Sequence, residues 1–581
     1  MIKNFRNFLI IINITGTKKS YLFFLVFLML ISSFADILSL GLIIPYVSQI
    51  LDIQENSLNF LPLNFEFFNY STRESLIFFL TIFLILIFFL KAALTILIRW
   101  LISSFSYKQF AILQVKLLNL YQNMKYEDHI SRSTSDYIKN LRELSMECVR
   151  NIELTLKILC ELIIFSVIIL FLCLINYKIL LLFFLTFLPI FLFYEIFLKP
   201  INIKLGSMQT DAVRNTYNII DNSMRGFKET RILGKEFFFK KRLEKFANIF
   251  YDAQKKSTLI IDSPRYVFEF FIILVSLSII LILSKNFDLA TYVPLISIYF
   301  VAAIRLLPGI SLIASSQGRL SLGQYAVTQI VNDITQYKNY EEKNANQTEV
   351  VVNKFKDLKF KGVDFSYQNT GIVILKNINF ELKKNDCIGI MGKSGVGKTT
   401  FVDIMLGLLK PQNGEILING NLIDDYGSNF TGNIAYVPQE PIILDDEIVT
   451  NITLETDKKN VNYEKLQYSI KKANLDKVVE KLPNKLETKV GDNGVRLSGG
   501  QNKRLALSRA FYHGKEIIMI DEATSALDFK TESLIAEEIL AIKGKTTIVI
   551  ISHSKNILKY CDKIYSIQNK SISLLNEKNA N

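Results

Sequence analysis

Apolar residues dominate the first 320 positions of the chain and form runs long enough to cross a membrane. A spanning helix needs about 20 consecutive, mainly apolar residues. After about residue 340 the pattern becomes that of an ordinary soluble protein. We therefore predict a helical membrane domain, residues 1–336, followed by a soluble domain. Six runs qualify as spans, at about 21–50, 75–103, 155–176, 179–198, 264–284 and 289–316.

The segments between the spans predict long helical arms on one side of the membrane. Residues 104–154 and 199–263 are rich in Lys and Arg, whereas the turns near Asn176 and Lys285 and the stretch 52–72 carry little positive charge. Cationic loops stay in the cytoplasm, so both arms and both termini are expected there. Aliphatic residues recur in the arms every three or four positions, as in YIKNLRELSMECVRNIEL, which predicts helices rather than loose loops.

Three segments carry weaker signals. The first 17 residues mix Lys and Arg with Phe, Leu and Ile, which fits either a helix in the membrane interface or a polar lead-in. Residues 56–70, NSLNFLPLNFEFFNY, alternate apolar and polar positions and fit either a short external helix or a simple loop. Residues 337–349 lack apolar periodicity and are interpreted as a linker.

The soluble part, residues 350–581, contains short apolar runs separated by helix-like stretches. CIGIMG, NIAYVP, IIMID and TTIVIIS are predicted strands. Strands that alternate with helices favour an α/β domain with a largely parallel core sheet.

Composition argues against several classes of function. The formal net charge of +13 follows the loops that flank the apolar helices, so it gives no reason to expect a nucleic-acid partner. The five cysteines form no C-x-x-C pair and lie far from histidine, so we expect neither disulfides nor structural zinc. The first apolar run is too long for a signal peptide and no small-residue cleavage site follows it, so it should remain as a membrane helix.

The run MGKSGVGKTT contains G-x-x-x-x-G-K-[ST] between a predicted strand and a predicted helix, which indicates ATP or GTP binding. Glycines let backbone N–H groups turn inward around phosphates, and the helix start adds a partial positive charge. Lys398 should reach the outer phosphates, and Thr399 should ligate Mg²⁺. The residues expected to contact nucleotide here are Gly392, Lys393, Ser394, Gly395, Val396, Gly397, Lys398, Thr399 and Thr400.

Two further motifs add catalytic chemistry. IIMIDE is a strand that ends in Asp521, suited to holding the Mg²⁺ shell, and Glu522, suited to polarising a water for attack on the γ-phosphate. Without the P-loop, this acid pair would be interpreted as a helix N-cap. LSGGQ, residues 497–501, offers a second anion-binding helix start at Ser498. Because the P-loop is already complete, LSGGQ is expected to serve the P-loop of a second copy.

P-loop, LSGGQ, strand-end D-E and a downstream histidine, in that order, resemble the nucleotide-binding domain of ABC transporters over about 350–575. The resemblance implies that Tyr367 in VDFSY stacks on adenine, Gln439 in YVPQE senses Mg²⁺ and His553 in IISHS touches the γ-phosphate. TKVGDNG, 488–494, resembles the X-loop, and SALD, 525–528, the D-loop; Asn502 replaces a commoner Gln, Arg or Lys. The signature residues that would hold the partner's ATP are Ser498, Gly499, Gly500 and Gln501.

Six spans followed by one such domain resemble a half-size ABC exporter. This resemblance implies an ATPase that uses ATP and Mg²⁺ in the bacterial cytoplasmic membrane, with coupling helices near 126–136 and 218–231. It also implies a dimer. When ATP binding closes the two nucleotide-binding domains on each other, the membrane cavity opens outward. Glu522 and His553 are both intact, which favours turnover and a homodimer.

Charged residues in the spans bear on the substrate. Arg99, Arg265 and Arg305 are expected at similar depth towards the inner leaflet. Ionisable groups in lipid either face a cavity or pair with each other. One interpretation is therefore local pairing, for example of Arg305 with Glu269, or snorkelling to headgroups. The other is an anion-binding belt, because guanidinium groups bind phosphate bidentately.

ISIYFVAAIRLLPGI, SPRYVFEF and the overall layout resemble the lipid-linked oligosaccharide flippases of bacterial N-glycosylation. This resemblance implies a polyprenyl-pyrophosphate-linked glycan as substrate, with the cavity arginines on the pyrophosphate and an external helix at 56–70 on the lipid tail. Export of a peptide, lipid or drug is the alternative. An ATP-gated channel or a regulatory scaffold is a further one.

Overall fold

The chain folds into two compact units. The helical unit comprises Met1–Met124 and Arg132–Glu341, and the sheet unit comprises Lys125–Ser131 and Glu342–Asn581. A helical unit followed by an α/β unit was the predicted fold class, and the structure confirms it. The computed structural model describes residues 2–16, 19–51, 73–175, 192–286, 289–346, 355–367, 371–393, 395–422, 433–491, 495–522, 536–537, 542–553 and 555–575.

Helices make up the described part of the first 346 residues, and two short π-helical stretches, Lys139–Leu144 and Tyr194–Leu198, precede α6 and α7. The helices are α1 (Ile2–Thr15), α2 (Lys19–Leu51), α3 (Arg73–Gln122), α4 (Tyr126–Ile130), α5 (Thr134–Ile138), α6 (Ser145–Ile175), α7 (Lys199–Arg225), α8 (Phe227–Ile232), α9 (Glu236–Asn286), α10 (Leu289–Leu322) and α11 (Gln324–Asn346).

Five of the six predicted spans lie within α2, α3, α6, α9 and α10. The fourth, 179–198, falls mainly outside the described residues, as does the external segment 52–72. Among the described residues, Lys19–Ser39 and Ile77–Gln122 are long and apolar enough to cross a membrane. The six-span arrangement therefore stays a prediction.

The predicted arms are helical. Helix α3 runs for 50 residues and α9 for 51, far beyond the length of one membrane crossing. The short helices α4 and α8 lie within or at the edge of the segments predicted as arm tips, 126–136 and 218–231. The sequence periodicity in the arms thus identified their secondary structure correctly.

Both ends of the helical unit are more ordered than a lead-in and a linker would be. Helix α1 buries Phe8, Ile11 and Ile12, which selects the helical interpretation of the N-terminus. Helix α11 continues to Asn346, so most of the predicted linker is helical. Ile330 and Ile334 are buried one turn apart on α11. Their packing stabilises the helix, which continues into the polar residues 337–346.

The sheet unit is built on a six-stranded sheet with the order β12-β11-β3-β10-β9-β6, parallel except for the edge strand β12. An antiparallel sheet, β2-β1-β4-β5, and the pair β7-β8 accompany it. The strands are β1 (Asp357–Ser366), β2 (Val373–Lys383), β3 (Cys387–Met391), β4 (Asn413–Ile418), β5 (Asn421–Leu422), β6 (Ile434–Val437), β7 (Asp446–Glu447), β8 (Lys489–Val490), β9 (Ile517–Asp521), β10 (Thr547–Ile551), β11 (Lys563–Gln568) and β12 (Ser571–Leu575).

Helices surround this sheet, and the short segment from the arm joins them. They are α12 (Lys398–Met405), α13 (Ile448–Thr453), α14 (Tyr463–Lys472), α15 (Asp476–Glu480), α16 (Gly499–His513) and α17 (Lys555–Leu558). Tyr126 of α4 packs against the buried cluster that contains Phe360 and Phe401. The segment Lys125–Ser131 is therefore part of the sheet unit although it lies far upstream in the chain.

The central strands position the candidate site. Strands β3, β9 and β10 are almost fully buried apolar runs, as expected for parallel strands covered on both faces. They are neighbours in the order β3-β10-β9. Their carboxyl ends therefore lie side by side, and the chain leaves them at the P-loop, at His553 and at Glu522.

Candidate nucleotide site

The P-loop connects β3 to α12 through a backbone that only glycine adopts easily. Gly395 and Gly397 have φ angles of 80° and 101°. At Gly397 an added Cβ would also lie 2.9 Å from the Ile374 side chain. The loop therefore needs glycine here for both conformation and space. This conformation turns successive N–H groups to one side, where they can surround phosphate.

Lys398, the first residue of α12, extends its ammonium group across the loop. Its Nζ donates to the carbonyl oxygens of Gly392, at 2.7 Å, and Lys393, at 3.3 Å. The same Nζ lies 2.8 Å from His553 Nε2 and 3.7 Å from Glu522 Oε1. The P-loop cation thus meets the side chains that follow β9 and β10.

Glu522 connects this group of side chains. Its Oε1 lies 3.1 Å from His553 Nε2, and its Oε2 accepts a hydrogen bond from Gln439 Nε2 at 2.8 Å. Its φ of 47° is unusual for a residue with a side chain. The Glu522 N–H donates to the Ile551 carbonyl at 2.9 Å, so strand β10 holds the backbone in this conformation.

Acidic oxygens next to the P-loop fit Mg²⁺. Burial raises the pKa of Asp521, while a hydrogen bond from Tyr436 Oη, at 3.1 Å, opposes that rise. Burial and the nearby charge of Asp521 raise the pKa of Asp403 to about 6. A buried carboxylate beside a half-buried one favours a bound cation, and hard oxygen donors are the ligands that Mg²⁺ prefers. Asp521 and the exposed Thr399 hydroxyl supply such donors.

The remaining P-loop residues divide between core and surface. Thr400 is buried and its Oγ1 lies 3.3 Å from Tyr367 Oη, which places the predicted adenine-stacking ring beside α12. Val396 packs against the core, and Lys393 is exposed. Ser394 lies outside the described residues, as do parts of the predicted X-loop and D-loop.

The signature residues form a separate, exposed helix start. Ser498 caps α16, and its N–H donates to Gln501 Oε1 at 2.8 Å, while the Gln501 N–H donates to Ser498 Oγ at 3.4 Å. An added Cβ at Gly499 would meet no atom within 4 Å. Together with Gly500, this forms the open first turn of a 15-residue helix, the kind of terminus that binds anions.

Sequence reasoning missed two residues that contact the acidic pair. Tyr436 donates to Asp521, and Lys503 Nζ donates to the main-chain oxygen of Glu522 at 3.0 Å. Burial lowers the pKa of Lys503. Both lie within a few positions of a motif residue, Gln439 and Ser498 respectively. For Tyr436 the available signal was a polar side chain inside an otherwise apolar strand, whereas Lys503 lies between two polar residues and gave no such signal.

The three arginines proposed for substrate lie on three helices, α3, α9 and α10. Arg99 is exposed, and Arg265 Nε donates to Glu269 Oε1 at 3.1 Å, one turn along α9. Arg305 lies in α10, but its side chain is outside the described part of the structure. Among the described side chains, Glu269 therefore pairs with Arg265. Pairing of Arg305 with Glu269, the local alternative, stays a prediction.

Comparison with known proteins shows a family likeness for part of the sheet unit and a likeness in fold for the whole chain. Residues 375–525 match the family model described as ABC transporter. The ATP-dependent lipid A-core flippase of Haemophilus influenzae is 35% identical over 217 residues, 37% of each chain. The multidrug resistance ABC transporter ATP-binding and permease protein of Lactococcus lactis is 29% identical over 379 residues, 64% of this chain and 62% of that protein.

A solved bacterial Atm1-family ABC exporter with ATP bound superposes with a TM-score of 0.80 over 95% of both chains, at 17% identity. The likeness in fold therefore extends through the helical unit. The matched regions cover less than two thirds of the length of the curated relatives.

Proposed function

We propose that this chain, which carries an ABC transporter domain and has the fold of an ABC exporter, is half of an ATP-driven membrane exporter. The observation that carries the proposal is the group formed by Lys398, Glu522 and His553 at the ends of three neighbouring parallel strands. A P-loop cation, a carboxylate and an imidazole that lie 2.8–3.7 Å from one another suit phosphoryl transfer to water.

Each side chain has a defined task in hydrolysis. The loop N–H groups and Lys398 hold the outer phosphates, and Glu522 accepts a hydrogen bond from the attacking water. Gln439 and His553 hold the Glu522 carboxylate from two sides, which fixes where that water lies. Bound Mg²⁺, held by Thr399, Asp521 and Gln439, would neutralise charge on the phosphates.

Glu522→Gln tests the catalytic role. The amide keeps the shape of the carboxylate but is a poor base, so ATP binding should persist and turnover should fall by about 10²–10⁴-fold. Glu464→Gln, on an exposed carboxylate at the start of α14, is the matched control. An exporter loses ATP-dependent movement of substrate with this change, whereas an ATP-gated channel would still open on ATP binding.

A homodimer in the cytoplasmic membrane completes the proposal. Exposed apolar side chains gather around α8, with Phe227 61% exposed and Ile232 74% exposed. Leu233 and Phe237 continue this surface. Apolar clusters of this kind mark protein contacts. The open signature helix start likewise needs a ligand, which the P-loop of a second copy would supply together with ATP.

For the substrate, we propose a polyprenyl-pyrophosphate-linked glycan. Arg99, Arg265 and Arg305 support it, because guanidinium groups within a membrane cavity suit a pyrophosphate. Relatives named as lipid A-core flippases support a lipid substrate. The relative named for multidrug resistance supports the drug alternative.

Flipping in reconstituted vesicles separates these substrates. Arg305→Ala should retain most ATP turnover and strongly reduce flipping of the pyrophosphate lipid, whereas Arg319→Ala, at the last turn of α10, should change neither. ATPase stimulation by hydrophobic cations instead of the pyrophosphate lipid would favour the drug alternative. Flipping that is unchanged in Arg305→Ala would remove the anion belt and leave the ATPase assignment intact.

A further inference from the structure

Asp333 of α11 is the centre of a buried polar cluster in the helical unit. Arg132 holds its carboxylate bidentately, with Nη1 to Oδ2 at 2.9 Å and Nη2 to Oδ1 at 3.0 Å. Tyr121 Oη donates to Oδ2 at 2.7 Å, and Asn140 Nδ2 donates to the same oxygen at 3.1 Å. Four hydrogen bonds from three separate segments therefore converge on one carboxylate.

The surroundings of this cluster make it specific for arginine. Asp333, Tyr121, Asn140 and Tyr337 are all buried. The Arg132 guanidinium lies 5.3 Å from the centre of the Tyr337 ring, and its Nη2 also donates to Tyr337 Oη at 3.3 Å. Lysine keeps the charge but can neither form the fork nor stack in the same way.

The position of the cluster along the chain is informative. Arg132 is the first residue after Lys125–Ser131, the segment that belongs to the sheet unit. Asp333 lies in α11, the last helix before the chain enters the sheet unit. Asn140 lies in the π-helical stretch Lys139–Leu144, a geometry that is frequent at functional sites. The ion pair thus joins two segments of the helical unit that lie next to sheet-unit segments in the sequence.

We propose that Arg132 and Asp333 are positioning residues that transmit nucleotide-dependent movement of the sheet unit to the helical unit. This inference rests on the proposed ATP-driven function. A bidentate pair inside a packed cluster is either formed or broken, so it ties the arm tip and α11 together instead of letting each move alone. Loss of the fork should leave ATP binding intact and uncouple the helices from it.

Hydrogen exchange of the full-length chain in lipid nanodiscs tests the proposal without a transported substrate. In the wild type, trapping with ATP, Mg²⁺ and vanadate should change exchange in segments 132–144 and 324–341. Arg132→Lys should reduce that change about tenfold while nucleotide affinity stays within about twofold of wild type. Arg150→Lys, on an exposed arginine paired with Glu147 in the same arm, should respond like the wild type.

Asp333→Asn provides a second, stronger variant, because it keeps the shape and removes the charge that Arg132 needs. The proposal is overturned if Arg132→Lys responds to trapping as the wild type does. It is also overturned if Asp333→Asn only lowers the unfolding temperature while its response to trapping is retained. A wild type that shows the coupled exchange but moves no lipid would refute the proposed substrate and leave this pair standing.

Discussion

At the scale of single residues, the site depends on donors that hold acidic groups in place. Tyr436→Phe removes one hydroxyl, the donor to Asp521. That hydrogen bond lowers the pKa of Asp521, so its loss should weaken Mg²⁺ binding. A hydrogen bond to a charged group is worth about 1.5–3 kcal/mol, and the low end applies to this solvent-exposed bond, so half-saturation should need roughly tenfold more Mg²⁺.

A Mg²⁺ titration of ATP turnover measures this effect, and the maximal rate should change little. Tyr468→Phe removes the hydroxyl of an exposed tyrosine on α14 and is the control. An unchanged Mg²⁺ requirement in Tyr436→Phe would show that Asp521 needs no such support.

His513, at the end of α16, predicts a loss of stability in acid. Burial and the nearby cations Lys515 and Lys465 lower the pKa of its imidazole. As the pH falls below about 6.5, this imidazole takes up a proton in the unfolded chain but stays neutral in the folded chain. The free energy of unfolding therefore decreases as the pH falls through this range. His513→Gln should lessen the drop in unfolding temperature between about pH 7.5 and pH 5.5.

Thermal unfolding of the full-length protein in detergent at both pH values measures the change. His129→Gln serves as the control, since His129 lies outside this environment. If wild type and His513→Gln lose the same stability in acid, the imidazole is not the responsible group.

A functional residue can be predicted from the sequence when its chemical role fixes its position within a motif. Lys398 and Glu522 were found from motifs, because phosphate binding and hydrolysis restrict both the residue type and its neighbours. Tyr436 and Lys503 act through contacts between β6 and β9 or between α16 and the end of β9. Such contacts depend on the packing of distant segments, which no local pattern encodes.

At the scale of elements, Gly206 marks the closest approach of two helices. An added Cβ would meet the carbonyl group of Leu322, the last residue of α10. Alanine normally stabilises a helix relative to glycine by about 0.5–1 kcal/mol. Here we expect the opposite sign, a loss of about 1–3 kcal/mol, because a backbone oxygen cannot move aside.

Thermal unfolding of Gly206→Ala in detergent determines that sign. Ser207→Ala, at the neighbouring and partly exposed position of α7, should be nearly neutral. A more stable Gly206→Ala would show that α7 and α10 can separate at no cost.

Elements were predictable where periodicity and burial agree. The central strands β3, β6, β9 and β10 were recognised as apolar runs. The antiparallel strands β1 and β2 were not singled out, although buried positions alternate along DLKFK. Because the other positions of β1 are charged, the segment has the composition of an ordinary polar surface segment. The strand became evident only from its pairing with β2 and β4.

At the scale of the whole molecule, the proposed function divides the site between two copies of the chain. Lys398 and Glu522 lie together within one chain, whereas Ser498 is expected to serve the partner. A chain with Lys398→Ala and a chain with Ser498→Arg should each be inactive. A dimer that contains one chain of each kind has one intact site and one site with both lesions. If the chains pair at random, about half of the dimers are of this kind, so co-expression should restore about a quarter of wild-type turnover.

Co-expression of Lys398→Ala with Glu522→Gln is the matched control. Both changes damage the same half of the pocket, so each site of the mixed dimer keeps one lesion and turnover should stay absent. Rescue in the control, or no rescue with Ser498→Arg, would contradict a shared pocket.

Tyr126 has a consequence for biosynthesis. Its aromatic ring leaves the ribosome long before Phe360 and Phe401, the residues it packs against. At about 5–20 residues per second, the arm tip waits tens of seconds for its binding surface to be translated. A fragment that begins at residue 350 would lack this ring and expose the apolar surface it covers, so early arrest of translation and truncated expression should both favour aggregation.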